Sequence, residues 1–110
     1  MFRPAAIGLF VASAGGALLQ PSSECSSWVR RSEAIRLARN INSLENGARV
    51  RSKRFVALSD LQVAAPEAFE VQLSTDGATY TFSVKDTADP CHRAVFSDQV
   101  GVIYTADPLR

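Results

Sequence analysis

Residues 69–85 constrain the fold most. Phe69, Val71 and Leu73 alternate with Glu70, Gln72 and Ser74, and Tyr80, Phe82 and Val84 alternate with Thr79, Thr81, Ser83 and Lys85. Period-two alternation on both sides of Asp76-Gly77 is the pattern of a β-hairpin with one dry face. A two-residue type I′ turn at 76–77 would set Thr75 opposite Ala78 and pair Leu73 with Tyr80, Val71 with Phe82 and Phe69 with Val84. Gln72 would then meet Thr81, and Glu70 would meet Ser83, on the wet face. A dry sheet face needs a cover.

The cover lies upstream. Ala34, Leu37, Ala38, Ile41, Leu44 and Ala48 recur at steps of three and four, the apolar stripe of an amphipathic α-helix. Ser26 or Ser27 is suited to cap its start, and no proline interrupts it before Pro66. Twenty-odd residues span about 35 Å, roughly twice a typical strand, so the helix overhangs the sheet or breaks. Asn46-Gly47 is the expected break. A second strand pair is expected over Ala94–Ser97 and Val102–Thr105, with Gly101 in a left-handed loop position and Phe96 facing Tyr104.

These elements predict an α+β fold, a long amphipathic helix packed on a small antiparallel sheet of three to four strands. At 110 residues the chain has room for one domain, and twelve Lys+Arg against eleven Asp+Glu exclude a globally basic nucleic-acid binder. The balance conceals a split. Residues 28–54 hold eight basic side chains and two acidic ones, a net of +6, whereas residues 55–110 hold three basic and eight acidic ones, a net of −5. Arg30, Arg31, Arg36, Arg39, Arg49 and Arg51 are the candidate interaction face. A solvated helix face is one reading; an acidic partner, nucleic acid or a membrane surface is the other. No aromatic residue is interleaved among these arginines to stack on bases.

The N-terminus reads as a targeting segment. Ala5–Leu19 is a run of small and apolar residues reaching about 22 Å as a helix, short of the roughly 30 Å hydrocarbon core. Within it Ala12-Ser13-Ala14 and Gly15-Gly16-Ala17 offer the small residues a signal peptidase needs, and the polar stretch Gln20-Pro21-Ser22-Ser23-Glu24 follows the run. The expected organisation is a signal peptide over 1–22 and a single domain over 23–110, exported to the periplasm or cell envelope. Export makes a disulfide admissible. Cys25 and Cys91 allow one bridge, which would stabilise by about 4 kcal/mol in the chain-entropy account. Two separate thiols are the alternative, because sequence does not give their separation.

Residues for catalysis are scarce. His92 is the only histidine, and its neighbour Cys91 would point to the opposite side of an extended chain. The sequence has no C-x-x-C pair, G-x-S-x-G elbow or phosphate-binding glycine loop. Asp86, Asp89, Asp98 and Asp107 flank turns, where aspartate commonly serves the backbone. The expectation is a non-enzymatic protein without cofactor, metal or small-molecule substrate.

The order of long helix, "RFVALSDL", hairpin "FEVQLSTDGATYTFSVK" and "PCHRAVFSDQVGVIYT" resembles the globular headgroup of bacterial type IV pilins and pseudopilins. The resemblance covers residues 32–105. Its most specific piece is Phe96-Ser97-Asp98-Gln99-Val100-Gly101-Val102-Ile103-Tyr104, similar to an F-x-D-x-x-G-V-I-Y phrase that ends many of them. It implies a helix on an antiparallel sheet and a role in pilus or type II secretion assembly through protein contacts. The start departs from the family: the apolar run is short, lacks the glutamate, and is separated from the helix by Pro21. The expectation is therefore a soluble exported domain, or a minor or accessory component, that docks through its helix or sheet edge on other envelope or pilus-type proteins. The alternative is a free-standing periplasmic or secreted binding or adhesion module using the arginine face on a polyanion.

Overall fold

The computed structural model describes residues 27–107; the expected signal peptide and Cys25 lie outside them. The chain forms α1 (Arg31–Ser52), a one-turn α2 (Leu58–Leu61), and strands β1 (Phe69–Thr75), β2 (Tyr80–Asp86), β3 (Ala94–Asp98) and β4 (Tyr104–Ala106). The strands make one antiparallel meander in the order β1-β2-β3-β4. The α+β fold and four-stranded sheet agree with the sequence pattern.

Helix α1 crosses β2 and β3, while α2 packs against α1 and covers β1. Ala34, Ala38 and Ile41 are fully buried, with Val84 and Val95 fully buried among the sheet residues of the same core. Tyr80 and Phe82 stack at 6.1 Å between centroids, and Phe55 meets Tyr80 edge-on at 4.7 Å. Small alanines on the stripe let the backbones approach, so large side chains are supplied mainly by the sheet.

Three expectations about the helix and one about the hairpin require correction. The helix does not break at Asn46-Gly47 but runs to Ser52, ending where Lys53 takes a left-handed conformation (φ 66°) and donates its N–H to the Arg49 carbonyl. Buried Ala48, one residue beyond Gly47, ties that turn to the core, which outweighs glycine's preference for a freer backbone. The N-cap is Arg30 rather than a serine, and it makes no side-chain cap bond. The fifth stripe residue, Leu44, is only partly buried, and Glu45 occupies the fully buried position instead.

The hairpin register is shifted by two residues from the expected one. Thr75 pairs with Tyr80, Leu73 with Phe82, Val71 with Val84 and Phe69 with Asp86. A type I′ turn needs positive φ at both central residues. Gly77 has it (φ 92°) but Asp76 does not. Instead the Asp76 carboxylate accepts from the N–H groups of Ala78 (2.9 Å) and Thr79 (2.8 Å), which closes a four-residue loop over 76–79. Thr75 Oγ1 accepts from the Gly77 N–H at 3.0 Å. A shift of two leaves every side chain on its expected face, so the burial pattern survived while the partners changed. At the second hairpin Phe96 does pair with Tyr104, and Gly101 is left-handed (φ 93°).

Candidate interaction surfaces

Most groups able to carry chemistry are engaged inside the molecule. Between β2 and β3 the loop 87–93 turns back onto the start of α1. Asp86 is fully buried; its Oδ2 accepts from the Trp28 indole N–H at 2.8 Å, and its Oδ1 accepts from the Ala88 N–H at 3.1 Å. The Arg30 guanidinium lies 3.7 Å from the same Oδ2, 4.0 Å above the Phe69 ring, and donates to the Glu67 carbonyl at 3.1 Å. Three residues after Asp86, Asp89 receives both Nε and Nη2 of Arg93 at 2.9 Å, the bidentate fork that suits a carboxylate. Arg93 Nη2 also donates to the Ser27 carbonyl at 2.9 Å. These bonds form a clasp that fastens the residues leading into α1 to the end of the sheet.

Arg93's hydrogen bonds hold the Asp89 carboxyl below the usual aspartate range, with burial working in the opposite sense. The same pairing raises the guanidinium's affinity for its proton. Asp76 is lowered by the backbone N–H groups of Thr79 and Ala78. Asp86, Asp89 and Asp98 all accept backbone N–H bonds in their turns, the Asp98 carboxylate taking that of Val100 at 3.0 Å. Asp107 is exposed, 3.9 Å from Arg93.

Cys91 is held in a disulfide; Cys25, the partner expected from the sequence, lies outside the described residues. A sulfur so bonded is not a free thiolate for the neighbouring His92, which is exposed with a left-handed backbone (φ 51°). Among the described residues no three His, Cys, Asp or Glu side chains gather as a metal site, and no helix is long and apolar enough to cross a membrane.

The six candidate arginines do not act as one face. Arg30 turns inward to the clasp. Arg31, Arg36 and Arg39 are exposed on the first half of α1, with Arg36 and Arg39 about 60° apart around the axis. Arg49 and Arg51, also exposed, diverge by about 160°, and the Arg49 guanidinium sits 5.8 Å from the Phe55 centroid. The helix back is thus basic in two separate places.

On the opposite side, the outer face of the sheet bears a shallow trough. Phe96 and Tyr104 stack at 5.5 Å and are 43% and 51% exposed, beside the polar side chains of Gln72, Ser74, Thr81 and Ser83. Sequence alternation placed Phe96 opposite Tyr104 but did not reveal that this pair faces solvent, because Val95 and Phe96 are both apolar and either face was eligible for the core. Fully buried Val95 takes the inner side.

Beneath α1 lie two polar devices that the apolar stripe alone does not announce. Tyr80 Oη donates to Asn42 Oδ1, Asn42 Nδ2 donates to Ser97 Oγ at 3.1 Å, and Ser97 Oγ donates to the Val102 carbonyl at 2.6 Å. This chain links helix, β2, β3 and the last loop. Burial, reinforced by Glu45 and Asp98, pushes the Tyr80 hydroxyl up to about 12, so it remains a donor. Glu45 Oε1 accepts the Val56 N–H at 2.9 Å, but its buried Oε2 has no hydrogen-bond partner, and burial raises this carboxyl despite the Val56 bond. A signal for Glu45 existed: it stands four residues after Ile41 and three before Ala48, on the stripe itself. No family model, curated protein or solved structure matches this chain.

Proposed function

We propose that the protein is a non-catalytic, exported module of pilin-headgroup type that works through protein contacts, as a minor or accessory part of a pilus or type II secretion assembly. One observation carries this reading. Asp86, Asp89, Arg93 and Cys91 are spent on fastening the fold, whereas the basic back of α1 and the aromatic front of the sheet are left open. Buried, satisfied ion pairs serve architecture, and exposed aromatic and arginine side chains are the residue types that anchor protein interfaces. The pilin-like order of helix, hairpin, loop and hairpin supports the type of assembly.

Affinity purification of the full chain from its native host, followed by mass spectrometry, tests the reading. It expects envelope proteins of a pilus or secretion machine to co-purify. Turnover of any substrate by the purified chain that is lost on His92→Ala would overturn it.

A second reading rests on Arg31, Arg36 and Arg39, which are exposed on the same half of α1: a free-standing module that binds a polyanion or anionic membrane surface. Salt-sensitive binding to DNA or to anionic vesicles, weakened by Arg36→Gln and Arg39→Gln together, would favour it.

A further inference from the structure

At the end of the sheet where the loops 76–79 and 99–103 approach the second half of α1, there is a cleft of about 440 Å³. Asn42, Asn46 and Arg49 line it from the helix, Phe55 and Tyr80 form an aromatic wall, and Gln99 closes the far side. Positions 42, 46 and 49 follow at steps of four and three, so they stand one above another on one side of the helix. The volume falls within the range of ordinary ligand sites and exceeds what water or a small ion needs.

The polar groups in this cleft are unevenly committed. Its acceptor Asn42 Oδ1 is already taken by the Tyr80 hydroxyl, and Gln99 Oε1 by the Tyr80 N–H at 3.4 Å. That orientation leaves the Gln99 amide N–H groups as donors. Among the described residues, the side chains of Arg49 and Asn46 enter no hydrogen bond or ion pair; Arg49 has only the Phe55 ring beneath it. No carboxylate lines the cleft. The free donors of Arg49, Asn46 and Gln99, together with the guanidinium's positive charge, make a site for an anion.

We propose that this cleft receives the C-terminal carboxylate of a partner polypeptide whose last side chain is apolar. A single guanidinium balances a single negative charge, and its planar fork matches a planar two-oxygen anion; a phosphate dianion would call for a second cation. The edge-to-face pair Phe55–Tyr80 supplies an apolar wall for the terminal side chain. Asn46 and Gln99 provide the neutral donors that fix the remaining oxygen. The inference rests on the reading of a protein-contact module and names one contact.

The test is a titration of the isotopically labelled full chain with N-acetylphenylalanine, followed by backbone NMR shifts. Saturating shifts grouped at Asn46, Gln99 and Gly101 are expected, with binding about tenfold or more weaker for N-acetylphenylalaninamide, for inorganic phosphate and for the Arg49→Gln variant. Lys85→Gln, at an exposed position of β2 outside the cleft, should bind as the parent does, and equal melting temperatures of both variants would exclude misfolding. Equal affinity for the amide, phosphate binding as tightly, or shifts spread along Arg31, Arg36 and Arg39 would each overturn the proposal. Such a result would leave co-purification of assembly proteins intact as a separate test of the broader function.

Discussion

The indole N–H of Trp28 donates to Oδ2 of Asp86 at 2.8 Å, joining residues 58 positions apart. Trp28 precedes the first turn of α1 and Asp86 is the last residue of β2, so this bond registers the helix along the sheet at one end. Asn42 and Tyr80 do the same farther along the helix. Two polar ties at different points along one helix suppress sliding, which an alanine-rich stripe would otherwise permit.

Trp28→Phe keeps most of the packing but leaves a fully buried carboxylate oxygen with only Arg30 nearby. The loss expected is about 2 kcal/mol of unfolding free energy, the scale of a hydrogen bond to a charged group. Urea denaturation followed by far-UV circular dichroism measures it, since Trp28 is the chain's only tryptophan and the variant has no indole to report.

Tyr80→Phe removes the donor to Asn42 and should cost about 1 kcal/mol or more. Asn42→Ala in the same background should then cost much less than it does alone. A double-mutant cycle reading a coupling of at least about 0.5 kcal/mol is the expected outcome, because the two side chains share one bond.

Glu45 and Asp89 bias stability in opposite directions along the pH axis. The Asp89 carboxyl is lowered in the fold, so its contribution is present above the ordinary aspartate range and is lost as pH falls through the folded value. Glu45 is raised above the ordinary 4.5, so its contribution is present in acid and is lost as pH rises through the folded value. Melting temperature should therefore fall on both sides of a mildly acidic maximum. Glu45→Gln should flatten the fall on the neutral side and retain the one in strong acid.

Asp89→Asn should do the reverse, weakening the acid-side fall, and it should lower the melting temperature at pH 7 by leaving Arg93 buried without its carboxylate. Asp89→Asn combined with Arg93→Leu removes the charge from both sides of the pair and should be milder than Asp89→Asn alone if the clasp is chiefly a matter of charge satisfaction. Thermal scans of the two variants at pH 7 and pH 3 check this order.

The sheet and its cover were legible because side-chain alternation and helical spacing follow directly from backbone geometry. Phe82, Val84, Ala34 and Ile41 occupy the inner positions their periods require. Register was not legible to the residue, since Asp76-Gly77 is compatible with both a two-residue and a four-residue loop. The Asp76 carboxylate decides between them through bonds to Ala78 and Thr79 that only three-dimensional geometry displays. The clasp was hidden for a different reason: Trp28, Arg30, Asp86, Asp89 and Arg93 are far apart or sit in turns, where polar residues are ordinary. Glu45 alone carried a readable sign, a charge at a core position of the helix.

The proposed role is contact with partner proteins through the open faces of helix and sheet. Site-specific photo-crosslinking in the native host, with the probe placed in turn at Arg39 on the helix back and Tyr104 on the sheet front, tests it most directly. Discrete adducts with an identified envelope assembly protein from at least one of these positions are expected, with none from the buried Val84. Folded, exported protein that yields no adduct from either face would rule that role out.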